Sequence, residues 1–225
     1  MKKLVLVLLA LMMVASVCCA EETKVFVSVT DGEGKLVMAY EEIAVADADG
    51  DGTLTINDAL IAAHIAKYEG GAEGYGAALS EYGLSMTKLW GVENGGSYGY
   101  YLNNASAWSL VDAVQPGDHV KAYVITDMTA WSDTYCYFDM NAAEAKADAE
   151  MVLTLSAAGY DANWNPVTLP VAGAVITVNG EKTEWVTDEN GTVNVKFAEE
   201  GVYVVSAVSD TQVLVAPVCI VTVVK

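Results

Sequence analysis

The sequence predicts an α+β chain built from a mixed strand–helix–strand half and an all-β half. Three observations carry this expectation. Strand-like alternation, as in Val25-Phe26-Val27-Ser28-Val29, recurs with turn residues between the runs. A single helical pattern, from Asp58 to Tyr68, lies among the early strands. From Glu150 onward every periodic stretch is strand-like. At 225 residues the chain is long enough for two domains.

Met1-Lys2-Lys3, the apolar run from Leu4 to Val17 and the small Ala20 describe a secretory signal peptide over residues 1–20. The run is too short to span a bilayer comfortably. Cys18 and Cys19 raise a lipid anchor, but Ala15-Ser16-Val17 is a poor approach to a lipidated cysteine, so cleavage after Ala20 is expected. The mature chain is then secreted or at the cell surface, with no transmembrane segment.

The whole sequence carries 11 lysines, no arginine and 30 acids, a net charge of −19. Removing Lys2 and Lys3 leaves 9 lysines against 30 acids, a net charge of −21. Without arginine, phosphate contacts and bidentate base readout lose their main donors, which excludes nucleic acid as a partner. The same charge argues against anionic membranes and phosphorylated substrates. Cys136 and Cys219 remain after processing; they fall in what read as different domains, and two free, buried thiols are expected.

Residues 47–58, Asp-Ala-Asp-Gly-Asp-Gly-Thr-Leu-Thr-Ile-Asn-Asp, have the ligand spacing of an EF-hand-type calcium loop. Asp47, Asp49 and Asp51 stand at positions one, three and five, where three carboxylates can converge on a hard cation. Gly52 at position six allows the sharp turn this requires. Thr53 offers its carbonyl at seven, Thr55 acts directly or through water at nine, and Asp58 closes the site at twelve. Leu54 is the apolar residue that ties the loop to a core. The cofactor expected is Ca2+.

A hairpin, Thr23–Val29 and Leu36–Val45, delivers the chain into this loop, and a helix leaves it, capped by Asn57 or Asp58 and ended by Gly70-Gly71. His64 on that helix has no partner acid or second histidine at useful spacing, so a surface or partly buried structural place is expected. Residues 69–84 read as loop with at most a short helix. An aromatic strand ending in Asn follows over Tyr98–Asn104, with further strands at Lys121–Ile125 and Thr134–Phe138. Residues 140–149 read as an interdomain linker. Beyond it, strands near Met151–Leu155, Val175–Val178, Val193–Phe197, Val202–Val208 and Val213–Val224 suggest a β-sandwich.

Trp90, Tyr98, Tyr100, Tyr101, Trp108 and Trp131 cluster in the first half. Strand alternation puts Tyr98 and Tyr100 on one side and Tyr101 on the other. The first pair, with Trp108, either fills a core or forms an exposed platform on which a sugar, a corrin or a partner protein stacks, oriented by Asn103 and Asn104. No Gly-x-Ser-x-Gly, Walker loop, dinucleotide fingerprint or Cys-x-x-Cys is present, and His119 reads as structural. A non-catalytic protein is expected.

The order of hairpin, helix, aromatic strand ending in Asn and Pro-Gly-Asp before a strand resembles the transcobalamin C-terminal-like β-grasp domain over residues 24–139. The resemblance is carried by Asn57-Asp58-Ala59-Leu60, Tyr98-Gly99-Tyr100-Tyr101-Leu102-Asn103-Asn104 and Gly117-Asp118-His119-Val120. The acidic loop is an addition to that domain and resembles one half of a dockerin repeat. Pro170-Val171-Ala172-Gly173-Ala174 and the later Thr-Asp-Glu-Asn-Gly-Thr resemble bacterial immunoglobulin-like or carboxypeptidase-regulatory-like modules. Such domains occur in exported proteins of gut anaerobes. The resemblances imply a β-grasp-like domain over 21–139 and an immunoglobulin-like β-sandwich over 150–225. The function they imply is a calcium-binding protein that recognises a small ligand, glycan or host or cell-surface protein; the alternatives are a structural spacer or adhesin module, or corrinoid binding.

Overall fold

A computed structural model describes residues 22–225, so the expected signal peptide at 1–20 lies outside the described residues. Lys24–Thr30 (β1) and Leu36–Ala44 (β2) pair antiparallel across a turn in which Asp31 Oδ1 accepts the N–H groups of Glu33 and Lys35 at 2.9 and 3.0 Å. Val25, Val27 and Val29 alternate into the core and are fully buried. The pairing slips between Val27 and Val29, a bulge at which Tyr40 takes a φ of 52° and its N–H bonds Ser28 Oγ at 3.0 Å. Ile56–Lys67 (α1) lays Ile56, Ala59, Leu60 and Ala63 on the same core.

Gly76–Ser80 (β3) and Gly83–Lys88 (β4) form a separate two-stranded hairpin, where the sequence suggests a loop. Most of its side chains are exposed or only half-buried, so no apolar alternation marks it. Tyr98–Leu102 (β5), Ala105–Ser106 (β6) and His119–Val124 (β7) complete the first sheet, in the order β2-β1-β7-β5-β6. Its central pair, β1 with β7, is parallel, and the other pairs are antiparallel. The β5–β6 turn places Asn103 and Asn104 at φ 51° and 65°, the two left-handed positions of a tight hairpin turn, which asparagine tolerates.

The remaining strands are Thr134–Phe138 (β8), Ala142–Lys146 (β9), Glu150–Tyr160 (β10), Pro166–Pro170 (β11), Val175–Val178 (β12), Glu181–Val186 (β13), Thr192–Lys196 (β14), Gly201–Val208 (β15), Leu214–Val215 (β16) and Cys219–Val224 (β17). One sheet runs β11-β10-β8-β16, with β14 also on β10; the other runs β13-β12-β15-β17-β9. Leu153, Leu155 and Val195 of the first pack against Ile176, Val205 and Val221 of the second in one buried cluster, a β-sandwich.

Three expectations are corrected by this arrangement. Residues 140–149 are not a free linker: β9 pairs in parallel with β17, from Ala142 opposite Ile220 to Lys146 opposite Val224. Its Ala-Ala-Glu-Ala-Lys sequence alternates small half-buried with exposed side chains, a pattern too weak to read as a strand. Second, β8 does not join the first sheet; it pairs with β10 and β16, and Phe138 lies in the sandwich core. Third, Cys136 and Cys219 therefore belong to the same core, where both are free and buried. Burial pushes both thiols up to about 12.

The first sheet is covered on both faces. Opposite α1, Tyr123 of β7 joins Tyr135 of β8 and Val215 of β16 in a small cluster, and Tyr101 stacks on Tyr135 with ring centroids 3.4 Å apart. Lys121 is buried on this face, as are Ser28 and His119, whose Oγ and Nε2 lie 2.8 Å apart.

Candidate functional site

The acidic loop is shaped by its own carboxylates. Asp47 Oδ1 accepts the N–H of Gly50 at 2.7 Å and Oδ2 that of Gly52 at 2.8 Å. Asp49 accepts from Asp51 at 3.2 Å, and Asp51 from Thr53 at 2.7 Å. Gly50 and Gly52 take φ values of 77° and 89°, which side chains avoid, and this lets the loop double back. Carboxylate oxygens of Asp47, Asp49 and Asp51 come within 4.8 Å of one another, all exposed. The Gly52 N–H leads in holding the Asp47 carboxyl below its usual range. At Asp49 the Asp51 N–H acts in the same sense, but desolvation and the charges of Asp51 and Asp58 outweigh it and the carboxyl is raised.

Asp58 stands apart from these three. It is buried, and Oδ1 accepts the N–H of Ala48 at 3.0 Å. Its Oδ2 accepts the N–H and hydroxyl of Thr55 at 2.9 and 2.6 Å, while Thr55 Oγ accepts the Asp58 N–H at 3.3 Å. This reciprocal capping box makes Thr55, rather than Asn57 or Asp58, the helix N-cap. Thr53 is exposed, and Leu54 packs on the first core as the spacing suggests. The donor set is wholly oxygen and the loop holds no lysine, which fits a hard cation: Asp47, Asp49 and Asp51 would hold it, with Asp58 behind them.

The loop's exit is stapled to residues 110–114. Val114 N–H bonds Leu54 O at 2.8 Å, Ile56 N–H bonds Asp112 O at 3.0 Å, and Asn57 N–H bonds Leu110 O at 2.9 Å. Asp112 in turn accepts the N–H groups of Trp108 and Ser109 at 2.8 and 3.2 Å. The backbone N–H of Trp108 is thereby held while the residue is 94% exposed.

The aromatic candidates divide. Tyr98 and Tyr100 lie half-buried against the first core, and Tyr98 OH is within 2.9 Å of both Thr87 O and Val92 O. Asn103 is spent on structure: Nδ2 donates to Asp118 at 2.7 Å and Oδ1 accepts the His119 N–H at 2.8 Å. Only Asn104 and Trp108 meet, on one wall of a cleft of about 740 Å³ between β5–β6 and the β10–β11 hairpin. The opposite wall carries Tyr160 and Thr168, which the sequence reading missed, with Tyr137 also lining the cleft. Trp164, 81% exposed, rests beside Tyr160 at 6.2 Å between ring centroids. The available signal was a tryptophan inside the polar turn Asp161-Ala162-Asn163-Trp164-Asn165, a setting that offers it no core.

Both histidines sit in the interior. His64, expected at or near the surface, is fully buried: Nε2 accepts the Trp90 N–H at 3.1 Å, so Nδ1 carries the proton and donates to Leu60 O at 2.6 Å. Burial holds it below the usual imidazole range. His119 is held down at about 3, by burial and then by the nearby Lys121 charge.

No protein-family model and no curated protein matches the chain. Among solved structures, it is similar to the N-terminal four Ig domains of Dscam1 isoform 7.44, at 10% identity over 91% of this chain and 45% of that one, with a TM-score of 0.26. The same region of Dscam1 isoform 6.9 matches at 8% identity over 48% of this chain and 23% of that one, with a TM-score of 0.24. The tandem Ig repeats of Dlar match at 12% identity over 68% of this chain and 76% of that one, with a TM-score of 0.26. The chain thus spans less than half the length of either Dscam1 structure. At such TM-scores the likeness carries no argument, and the description of a mostly β protein ending in a sandwich rests on its own strand pairing.

Proposed function

We propose that this is an exported, non-catalytic binding module whose first domain is β-grasp-like and braced by calcium. The observation that carries it is the convergence of Asp47, Asp49 and Asp51 where the hairpin hands over to α1. Three unbalanced carboxylates in one loop repel one another, and a divalent cation turns that repulsion into a cross-link between strand and helix. The order β2-β1-β7-β5, with a parallel central pair and a helix on one face, supports the β-grasp part. Export follows from the charge pattern of residues 1–20. Calcium acts as a brace rather than a signal, with an affinity of about 10⁻⁴–10⁻³ M, the range of extracellular modules.

Isothermal titration calorimetry of calcium into the mature chain, beside melting curves with and without chelator, tests this reading. A saturable heat and a raised midpoint support it; an unchanged midpoint with no heat removes the metal. A structural spacer is the second reading, favoured by Tyr98 and Tyr100 lying against the core instead of forming a platform.

A further inference from the structure

We propose that the cleft between β5–β6 and the β10–β11 hairpin binds a neutral saccharide, stacked on Trp108 and Tyr160 and oriented by Asn104 and Thr168. This deepens the binding-module reading and rests on it. Two properties of the cleft point to such a ligand. First, none of its lining residues is charged, in a chain with 30 acids and a net charge of −19. Any ionic ligand would meet no counter-charge there, and cations are drawn instead to the carboxylates elsewhere. Second, two of its four aromatic residues stand out into water: Trp108 is 94% and Tyr160 60% exposed. Apolar rings of this size are normally buried, and here Trp108 stays exposed on a backbone fixed by Asp112.

The polar groups match the same chemistry. Asn104, which lines the cleft, accepts the Tyr135 hydroxyl on its carbonyl oxygen at 2.8 Å, so its amide donors are not used in that bond. Tyr137 OH and Thr168 Oγ lie 3.2 Å apart and together offer a donor and an acceptor. Aromatic faces with neutral amide and hydroxyl groups suit a sugar ring, which shows C–H groups on its face and hydroxyls at its edge. An extended apolar peptide would instead require a long open strand edge, and β6 has only two residues while β11 begins and ends in proline.

The test is calorimetry and tryptophan fluorescence of the mature chain with cellohexaose, xylohexaose, mannohexaose and maltohexaose, polygalacturonate as the anionic control, and an extended-peptide library. Binding of at least one neutral hexasaccharide is expected, weakened about 10- to 30-fold by Trp108→Ala and by Tyr160→Ala with melting midpoints unchanged. Trp164→Ala, outside the cleft lining, should weaken it less. No binding to any neutral hexasaccharide at about 1 mM, equal binding of polygalacturonate, binding of peptide alone, or binding that survives both cleft substitutions overturns the proposal. A calcium-dependent melting shift in the same samples separates the two readings: the shift without sugar binding sinks the cleft alone, and sugar binding without the shift sinks the metal alone.

Discussion

Lys121 Nζ, on a central strand of the first sheet, donates to the carbonyl oxygen of Cys136, on a strand of the second, at 3.0 Å. It also lies 4.8 Å from the centre of the Tyr135 ring. This is a fully buried lysine with no carboxylate partner among the described residues, and burial holds its ammonium down at about 8. The unfolded chain keeps that proton to about pH 10.4. Above pH 8 this lysine therefore binds more protons in the unfolded chain than in the folded one, and its contribution to stability rises with pH; below pH 8 both states carry the charge and its penalty is constant.

Lys121→Met should remove this slope. Between pH 7.5 and 9.5 the wild-type stability minus that of the variant, from urea unfolding, is expected to widen by about 1–2 kcal/mol, while the buried thiols of Cys136 and Cys219 impose the same downward slope on both. Parallel curves for the two would show that Lys121 is not the group responsible.

His119 predicts the opposite limb. Its folded value of about 3 lies well below the unfolded value of about 6.5. As pH falls from 6.5 toward 5 the unfolded chain takes up a proton that the folded one refuses, and stability drops by at most about 1.4 kcal/mol per pH unit for this group. His64, lowered by the same cause, adds to it. His119→Gln, which can keep a bond to Ser28 Oγ, should make the decline between pH 6.5 and 5 shallower, read as denaturant midpoints. An undiminished slope would assign the acid sensitivity elsewhere.

Asp47 makes two backbone bonds and is one of three converging carboxylates. Ten millimolar calcium, roughly 10–100 times the expected dissociation constant, should raise the wild-type melting temperature by about 3–10 °C. Asp47→Asn removes a charge and keeps one of the two acceptors, so the calcium increment should vanish while loss of one backbone bond lowers the calcium-free melting temperature by about 2–4 °C. An increment that persists in Asp47→Asn would place the cation elsewhere.

Gly99 on β5 faces Tyr123 across the strand pair, and a Cβ at this position would meet the Tyr123 ring at 2.1–2.3 Å. The ring cannot swing away, since Tyr123 is only 7% exposed and packs beneath Tyr135 and Tyr101. Gly99→Ala should cost about 1–3 kcal/mol by overpacking, measured by denaturant unfolding. Gly95→Ala is not a suitable comparator because Gly95 has a φ of 81°, whereas Ala78→Gly on the exposed β3 should cost less.

Much of the first sheet was legible because Val25, Val27 and Val29 alternate cleanly and because one helix stands between turn residues. The spacing of Asp47, Asp49 and Asp51 likewise announced the loop, since ligand geometry is local. Three things were hidden. The β3–β4 hairpin and β9 bury too little for apolar periodicity to form. The assignment of β8 depended on which sheet offered a free edge, a tertiary choice that the alternating Thr134–Phe138 segment does not encode. The cleft was invisible because its two walls, near Trp108 and Tyr160, are brought together by packing of the sandwich on the first sheet.

The parallel pairing of β1 with β7 has a consequence in time. Synthesis supplies β2 to one side of β1 almost at once, yet the other side waits for His119–Val124, whose last residue lies 80 positions beyond Ala44. At ~5–20 residues per second the delay is on the order of 4–16 s. For that interval the nascent hairpin shows an open hydrogen-bonding ladder of valines, a template on which neighbouring chains from one polysome can cross-pair.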